Sequence, residues 1–485
     1  MASFAWDYLL CLFPSLLFFL LRLGLRWHSV RYWTRLAVRA AGWRLWVIVC
    51  LILEMPLDRN TRTWNKEPES PGPDILSGSG QTSDGLRLIC KPTALAKYLL
   101  QHWGCLAMPR LAAWPKGDPH LQTLSSLLSG QVDTVQFTRD NLLLRDGGVV
   151  ALDWAVGTRL CEAIRRKEHQ SGGKVLGCFT LTPPVLLLIP QSWGGMTPHL
   201  KMLCHQAMDQ GFYVVVFHPR GTAGCPLTTT RMTEFGDPAD LEQAVAYIHR
   251  RHPSSMLVAV SEGSGSGVLL SYLGECGSST HLTAAAAISP VLLGQLWFET
   301  AMPPVYRWGA LFHRKLQLSR AVLDVDRVLS CSSLRDFEET LFCASDWDSY
   351  WDRNEPLRDA DEVAVPVLCI CSRDDPLLPP ASTLPLTLFQ NNPYFLLVLT
   401  DRGGHCGFTL EGCGTWSHAV VLEYFRVVTD FLKREEGGAR NRTSTTVPSR
   451  RRRPIMTRKS RPQEAEQSSV TAEEGNFTWK RSYTR

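Results

Sequence analysis

The sequence contains no C-x₂-C pair, no internal repeat and no unusual excess of charge. Cysteine pairs at that spacing are the usual sign of a zinc site, so we expect no metal and no cofactor. With 20% charged and 45% hydrophobic residues, the chain is neither disordered, collagen-like nor a coiled coil. Its 15 cysteines are scattered and odd in number, which predicts buried free thiols and weakly favours a cytosolic body.

The first apolar run also lacks the basic residues that precede a cleaved signal peptide. Tyr8–Leu25 is apolar apart from Arg22, follows Asp7, and is long enough to cross a bilayer as a retained anchor. Arginines interleaved with aromatic residues follow it, so the positive-inside rule predicts a cytosolic body, with the endoplasmic reticulum as the expected membrane. The alternative is a luminal or secreted body, in which the sequons at Asn441 and Asn476 would carry glycans.

Net charge is divided unevenly along the chain. Residues 1–50 hold six Arg and one Asp, and residues 437–485 hold twelve Lys or Arg and four Glu, so 51–436 carries −8 of a total of +5. An acidic body argues against nucleic acid as a partner. Basic ends suit a membrane surface, and we therefore expect membrane lipid as a partner.

Composition divides the chain into four parts. Residues 1–56 are predicted to form the membrane anchor with its basic aromatic segment, and the Pro-, Gly- and Ser-rich stretch 57–85 a linker. Residues 86–436 form the folded domain. Residues 437–485, with the run Arg450–Arg453, are predicted to be a disordered basic tail.

Short apolar runs alternate with helix candidates such as Pro238–Arg251 and Val268–Leu273. Continuous apolar strands of this kind predict a mostly parallel sheet covered by helices on both faces, an α/β class of fold. Ligands bind at the carboxyl ends of such strands. The runs are Val185–Ile189, Tyr213–Phe217, Met256–Val260, Ala284–Ile288, Val365–Cys371 and Tyr394–Leu399.

The residues that follow these runs resemble the parts of a hydrolase site. Trp193 and Gly194 lie in a Gly-bearing loop where an oxyanion-binding N–H is expected, and Asp375 and His405 follow two later runs. The turn after the run Met256–Val260, where a hydrolase carries its nucleophile, is followed along the chain by Asp375 and then by His405. This is the chain order of nucleophile, acid and histidine in α/β-hydrolases, and it predicts that Asp375 and His405 form a charge-relay pair.

The nucleophile of such a site is missing. An active serine hydrolase has G-x-S-x-G between strand and helix, whereas here the run Met256–Val260 is followed by Ser261-Glu-Gly-Ser-Gly-Ser-Gly. Counting from the strand and from the helix both place Gly263 at the nucleophile. A one-residue shift of the turn would bring in Ser264 instead. Glu262 is expected to oppose a developing oxyanion, and Cys406 is interpreted as a packing residue.

Five motifs are spread over the folded part of the chain: Asp118–Leu124, Arg220-Gly221 with Gly224, Leu334–Phe337, Asp374–Pro376 and Gly403–Phe408. They resemble those of the membrane-anchored α/β-hydrolase family that includes bacterial YheT-like esterases, the AB hydrolase 4 family. The resemblance covers about residues 115–435 and implies an α/β-hydrolase fold, an N-terminal apolar segment and a link to lipid metabolism, specifically lipid breakdown.

Two functions follow from these observations. The first is a non-catalytic binding or scaffolding regulator of lipid metabolism, with an acyl-lipid ligand or a protein partner. The second is an active lipid carboxylesterase that uses Ser264 with Asp375 and His405. An aromatic-rich insertion at about 290–360 is either an apolar lid that faces the membrane or the core of a helical subdomain.

Overall fold

The computed structural model describes residues 28–55, 86–106, 111–128, 135–156, 182–191, 195–300, 302–318, 328, 330–342, 346–412 and 414–444. The chain divides into two compact units, which are treated separately. The smaller consists of residues 1–68 with 303–308, and the larger of residues 69–302 with 309–485.

Helix α1, His28–Ile52, dominates the described part of the smaller unit. Its C-terminal half contains the apolar run Leu45–Leu53, in which Leu45, Ile48 and Leu51 are exposed. None of the helices in the described ranges is long and apolar enough to cross a membrane. The predicted anchor Tyr8–Leu25 and the predicted linker 57–85 both lie outside those ranges.

The larger unit is built on a nine-stranded sheet with the order β1-β9-β8-β7-β6-β4-β5-β3-β2. Strands β4 to β9 run parallel to one another, and β1, β2 and β3 join by antiparallel pairing. The predicted mostly parallel α/β-hydrolase fold is confirmed. The strands are β1 Leu86–Ile89, β2 Gln136–Leu143, β3 Val149–Val156, β4 Val185–Ile189, β5 Tyr213–His218, β6 Leu257–Glu262, β7 Leu282–Ile288, β8 Val367–Ser372 and β9 Phe395–Thr400.

Helices cover both faces of this sheet, because its central strands alternate apolar side chains to either side. On β4, Leu186 and Leu188 belong to one buried cluster, while Val185, Leu187 and Ile189 belong to the other. The helices are α2 Ala94–His102, α3 Pro119–Leu128, α4 Pro198–Asp209, α5 Ala239–Arg251, α6 Ser266–Cys276, α7 Gly294–Glu299, α8 Pro304–Leu318, α9 Leu334–Phe342, α10 Trp347–Asn354, α11 Leu386–Asn391 and α12 Trp416–Ser444.

Helices α7 to α10 form the insertion between β7 and β8. Four of its aromatic side chains are buried and pack against one another: Trp297, Phe298, Trp347 and Trp351. Their ring centroids lie 4.9–6.0 Å apart in the pairs that are in contact. These side chains therefore contribute to the core of a helical subdomain. Among the described residues of the insertion, the exposed large apolar side chains lie on α8, where Trp308 is 75% and Phe312 61% exposed.

Helix α12 corrects the predicted start of the C-terminal tail. The helix continues to Ser444, so residues 437–444 are helical where disorder was predicted. Asn441 lies in its last turns, and Asn476 is outside the described residues. The apolar positions that hold the helix on the sheet, such as Val420, Val421 and Phe425, all precede residue 437.

Arg220, from one of the family-like motifs, forms a buried ion pair. Its Nε and Nη2 donate to both oxygens of Asp240 at 2.7 and 2.5 Å, and its Nη1 donates to Asp146 at 2.8 Å. Arg220 and Asp240 are both buried. The motif therefore fixes the loop after β5 to the start of α5, which is a structural role.

We expect Arg220→Met to lower the free energy of unfolding by about 3–5 kcal/mol, because Asp240 would be left as an unpaired buried charge. The measurement is urea unfolding of the purified protein. Arg231→Met is the matched control, since Arg231 is half exposed in its ion pair with Asp237 and should cost less than about 1 kcal/mol. Equal losses in the two variants would contradict the structural role.

Candidate active site

The turn between β6 and α6 has the shape of a nucleophile elbow. Gly263–Gly265 forms a single 3₁₀ turn, and Gly263 has a φ of +50°, in the left-handed region. A Cβ at Gly265 would lie 2.2 Å from the carbonyl oxygen of Pro190, so that position accepts only glycine. The local sequence therefore keeps the tight strand-turn-helix of a hydrolase without its serine.

Asp375 and His405 meet at the carboxyl edge of the sheet, beyond the ends of β8 and β9. His405 Nδ1 lies 2.9 Å from Asp375 Oδ2, where an Nδ1–H donates to the carboxylate. The other oxygen of Asp375 accepts the backbone N–H groups of Leu377 and Leu378 at 2.9 and 3.2 Å. This arrangement directs Nε2 of His405 away from the carboxylate, as a charge-relay pair requires.

Helix α3 holds the loop that carries His405, and it consists largely of the motif Asp118–Leu124. Thr123 Oγ1 accepts the His405 N–H at 3.0 Å, and Ser126 Oγ donates to the His405 carbonyl at 3.2 Å. Gln122 Oε1 accepts the Thr409 N–H at 3.0 Å. Sequence analysis recognised this motif but assigned it no role; the structure shows that it positions the histidine.

Gly263 occupies the place of the nucleophile opposite His405. A Cβ built on Gly263 would lie 2.7 Å from His405 Nε2 and 3.3 Å from the side chain of Gln191. A separation of 2.7 Å is closer than a carbon and a nitrogen can approach without one of them moving. The basic nitrogen therefore occupies part of the space that a nucleophile side chain would need.

Two of the three nearby serines have surroundings that differ from those of a nucleophile. Ser266 Oγ accepts the Val291 N–H at 2.9 Å and lies 2.7 Å from the Gly263 carbonyl, so it is part of the turn itself. Ser261 Oγ is buried with no hydrogen-bond partner among the described residues. Ser264 is buried within the turn, one residue after the position that abuts His405.

Ser266→Ala should destabilise the protein by about 1–3 kcal/mol, because the buried Val291 N–H and Gly263 carbonyl would lose a partner. Chemical unfolding of the wild type and the variant measures the difference. Ser279→Ala, at the exposed region just beyond the other end of α6, is the control and should change stability by less than about 0.5 kcal/mol. A neutral Ser266→Ala would show that the serine does not hold the turn.

Cys406 is buried next to His405 in the same loop. Its Sγ lies 3.7 Å from the Ile288 carbonyl oxygen. Burial raises the pKa of the Cys406 thiol, although His405 counteracts this. Burial also opposes a charged His405, but the Asp375 carboxylate outweighs it and raises the pKa of His405 above its ordinary value. Cys406 is therefore a buried, protonated thiol rather than an activated nucleophile.

Glu262 is directed toward two histidines that sequence analysis did not single out. Its Oε1 lies 2.9 Å from His199 Nδ1 and 3.9 Å from His418 Nε2, and all three residues are buried. Burial raises the pKa of Glu262, but the two histidines outweigh this and lower it to about 2. Burial and His199 lower the pKa of His418 to about 4 against the effect of Glu262. No local motif marks this cluster, since its members come from β6, α4 and α12.

The remaining predicted site residues, Trp193 and Gly194, lie outside the described ranges. A cavity of about 70 Å³ lies beside the elbow, lined by Gly265 and Val268 of the elbow region and by Arg314 and Phe337 of the insertion. Small-molecule sites usually enclose about 300–1,000 Å³. This cavity, taken by itself, is therefore smaller than a typical small-molecule site.

Comparison with known proteins places this geometry in a family. The chain is 46% identical over 434 residues to human protein ABHD15, a match that covers 86% of this chain and 88% of the relative. It belongs to the α/β-hydrolase family of ABHD15. The family resemblance inferred from the motifs is thereby confirmed.

Other members of this α/β-hydrolase group match a shorter part of the chain. Bovine phospholipase ABHD3 is 30% identical over 295 residues, with 57% of this chain and 67% of the relative covered. The medium-chain fatty acid ethyl ester synthase/esterase 2 of Saccharomyces cerevisiae is 25% identical over 281 residues, with 50% and 62% covered. No family model matches the chain.

Proposed function

We propose that this protein is a non-catalytic member of its hydrolase family that regulates lipid metabolism by binding. Gly263 is the observation that carries the proposal. It stands at the nucleophile position, and His405 Nε2 lies 2.7 Å from where its Cβ would be. Removing the nucleophile of a serine triad lowers kcat by about six orders of magnitude.

The relatives support lipids as the chemical context. Two of them are a phospholipase and a fatty acid ethyl ester synthase/esterase, so they act on acyl esters. The cavity of about 70 Å³ beside the elbow is small for an acyl chain, and this favours a protein partner over a lipid ligand held at the elbow. In this proposal the retained elbow, Asp375 and His405 maintain the shape of a binding surface.

The alternative function is a lipid carboxylesterase in which Ser264 replaces the missing serine. The intact Asp375–His405 pair favours it, because the base and its orienting acid are both in place. A catalytic Ser264 would have to come within about 3 Å of His405, which requires the turn to shift by one residue. Gly263 and Gly265 fix the present register of that turn.

A fluorophosphonate probe, applied to the full-length protein in detergent, tests these two functions. We expect no labelling of the wild type. We expect labelling of Gly263→Ser, because the serine would face His405 at the elbow once the imidazole ring moves back to accommodate the new Cβ. The double variant Gly263→Ser/His405→Ala controls for non-specific reaction and should be silent. Labelling of the wild type that disappears in both Ser264→Ala and His405→Ala would contradict the proposal and establish the esterase.

We further propose that the N-terminal segment anchors the protein in a membrane, expected to be that of the endoplasmic reticulum, with the body on the cytosolic side. Arginines after Tyr8–Leu25 support this orientation. The exposed Phe312 on α8 adds an apolar side chain suited to a membrane interface.

Glycosylation reports the topology, because the sequons at Asn441 and Asn476 are modified only in the lumen. We expect the protein expressed in cells to keep its electrophoretic mobility after endoglycosidase treatment, like the variant Asn441→Gln/Asn476→Gln. A fusion with a sequon tag placed before Tyr8 is the positive control and should shift. A shift of the wild type that the double variant abolishes would place the body in the lumen.

A further inference from the structure

His199, Glu262 and His418 bring three potential metal ligands together from separate elements. His199 lies in the first turn of α4, Glu262 ends β6 and His418 lies in the first turn of α12. One atom of each residue, His199 Nδ1, Glu262 Oε1 and His418 Nε2, lies within 4.8 Å of the other two. The absence of C-x₂-C pairs led to the expectation of no metal, but a site made of two histidines and a glutamate from separate elements leaves no cysteine motif in the sequence.

The separations of these three atoms match those of ligands around one tetrahedral ion. The distances are 2.9 Å from His199 Nδ1 to Glu262 Oε1, 3.3 Å from His199 Nδ1 to His418 Nε2, and 3.9 Å from Glu262 Oε1 to His418 Nε2. Zinc binds nitrogen and oxygen at about 2.0–2.2 Å, which sets neighbouring tetrahedral ligands about 3.4 Å apart. The observed distances lie around this value.

Hydrogen bonding satisfies the cluster only in part. If His199 Nδ1 carries a proton, it donates to the nearer acceptor, Glu262 Oε1, at 2.9 Å. His418 Nε2 then lies 3.3 Å from an N–H group that already has an acceptor. At 3.9 Å from Glu262, His418 Nε2 is too far to donate to the carboxylate. A cation between the three atoms would give each of them a partner.

One member of the cluster borders a cavity. His199 lines a space of about 500 Å³ together with Gln122, Met202 and Thr415. The other two members are buried and do not line it. The first turns of α4 and α12 oppose a cation through their dipoles, a small effect beside coordination by a carboxylate and two imidazoles.

We propose that His199, Glu262 and His418 bind a divalent transition-metal ion, with zinc the best match to two nitrogen ligands and one carboxylate. The ion would link the strand before the elbow to α4 and α12. This site does not depend on the proposed loss of catalysis, because its three ligands are distinct from Asp375 and His405.

The test uses full-length protein purified in detergent without chelators, incubated with zinc and then freed of unbound metal by gel filtration. Mass spectrometry of the metal content should give about one zinc per chain. Glu262→Gln keeps the size of the side chain but removes its charge, and it should weaken zinc binding by more than the roughly 10–100-fold typical of losing an outer-shell partner. Loss of His418 in His418→Gln should do the same.

His205→Gln is the matched control, because His205 lies on the same helix as His199 but is exposed and paired with Asp209. It should retain the zinc of the wild type. Wild-type protein that holds no more zinc than Glu262→Gln would overturn the proposal. So would a loss in His205→Gln as large as in the cluster variants, since it would indicate adventitious binding at surface histidines.

Cobalt substitution in the wild type tests the site without any variant, in case a cluster variant does not fold. Co²⁺ held by two imidazoles and a carboxylate in tetrahedral geometry should give intense visible absorption, displaced by zinc, and zinc should raise the thermal midpoint. A weak octahedral spectrum with no change in the midpoint would show that the three residues form only an ion pair.

Discussion

The close approach of the turn after β6 to the loop after β4 is the constraint on which the site depends. A Cβ at Gly265 would lie 2.2 Å from the Pro190 carbonyl, and one at Gly267 would lie 2.8 Å from the Phe235 carbonyl. Backbone meets backbone at both points, so neither position can accept a side chain. The turn is thereby fixed by close packing and by the hydrogen bonds of Ser266, and it would keep its hydrolase shape whether or not the residue at 263 carries out chemistry.

The Asp375–His405 pair is held in place by hydrogen bonds within the protein, which form without a substrate. The Gly404 N–H donates to Asp374, the Ser372 hydroxyl donates to the Gly404 carbonyl, and the Cys406 N–H donates to Ser289. Each such bond contributes on the order of 1 kcal/mol to stability. A pair embedded in this network would persist for structural reasons even without catalysis, so its presence does not by itself argue for turnover.

Sequence was sufficient for the strands that consist of one uninterrupted apolar run, but not for β3, Val149–Val156, whose apolar run is broken by Asp153. All six predicted strands are present, and counting from strand and helix places Gly263 at the elbow. By contrast, β2 (Gln136–Leu143) alternates and is largely exposed, and β1 has four residues, so neither shows a buried run. The contacts of Thr123 with His405, and of His199 and His418 with Glu262, join residues 63 to 282 positions apart. They arise from the strand order, which local patterns do not specify.

Glu262 connects the two unusual features of the elbow. Its pKa of about 2 keeps it ionised at neutral pH, one residue before the position where an acyl-transfer reaction would need a nucleophile. The carboxylate is directed to His199 on α4 and approaches His418 on α12, so its charge is balanced by the helices on that side. Gly263 has no side-chain atom that could attack an ester, and the neighbouring Glu262 pairs with a histidine of α4. These two adjacent residues favour a structural role for the elbow over ester hydrolysis.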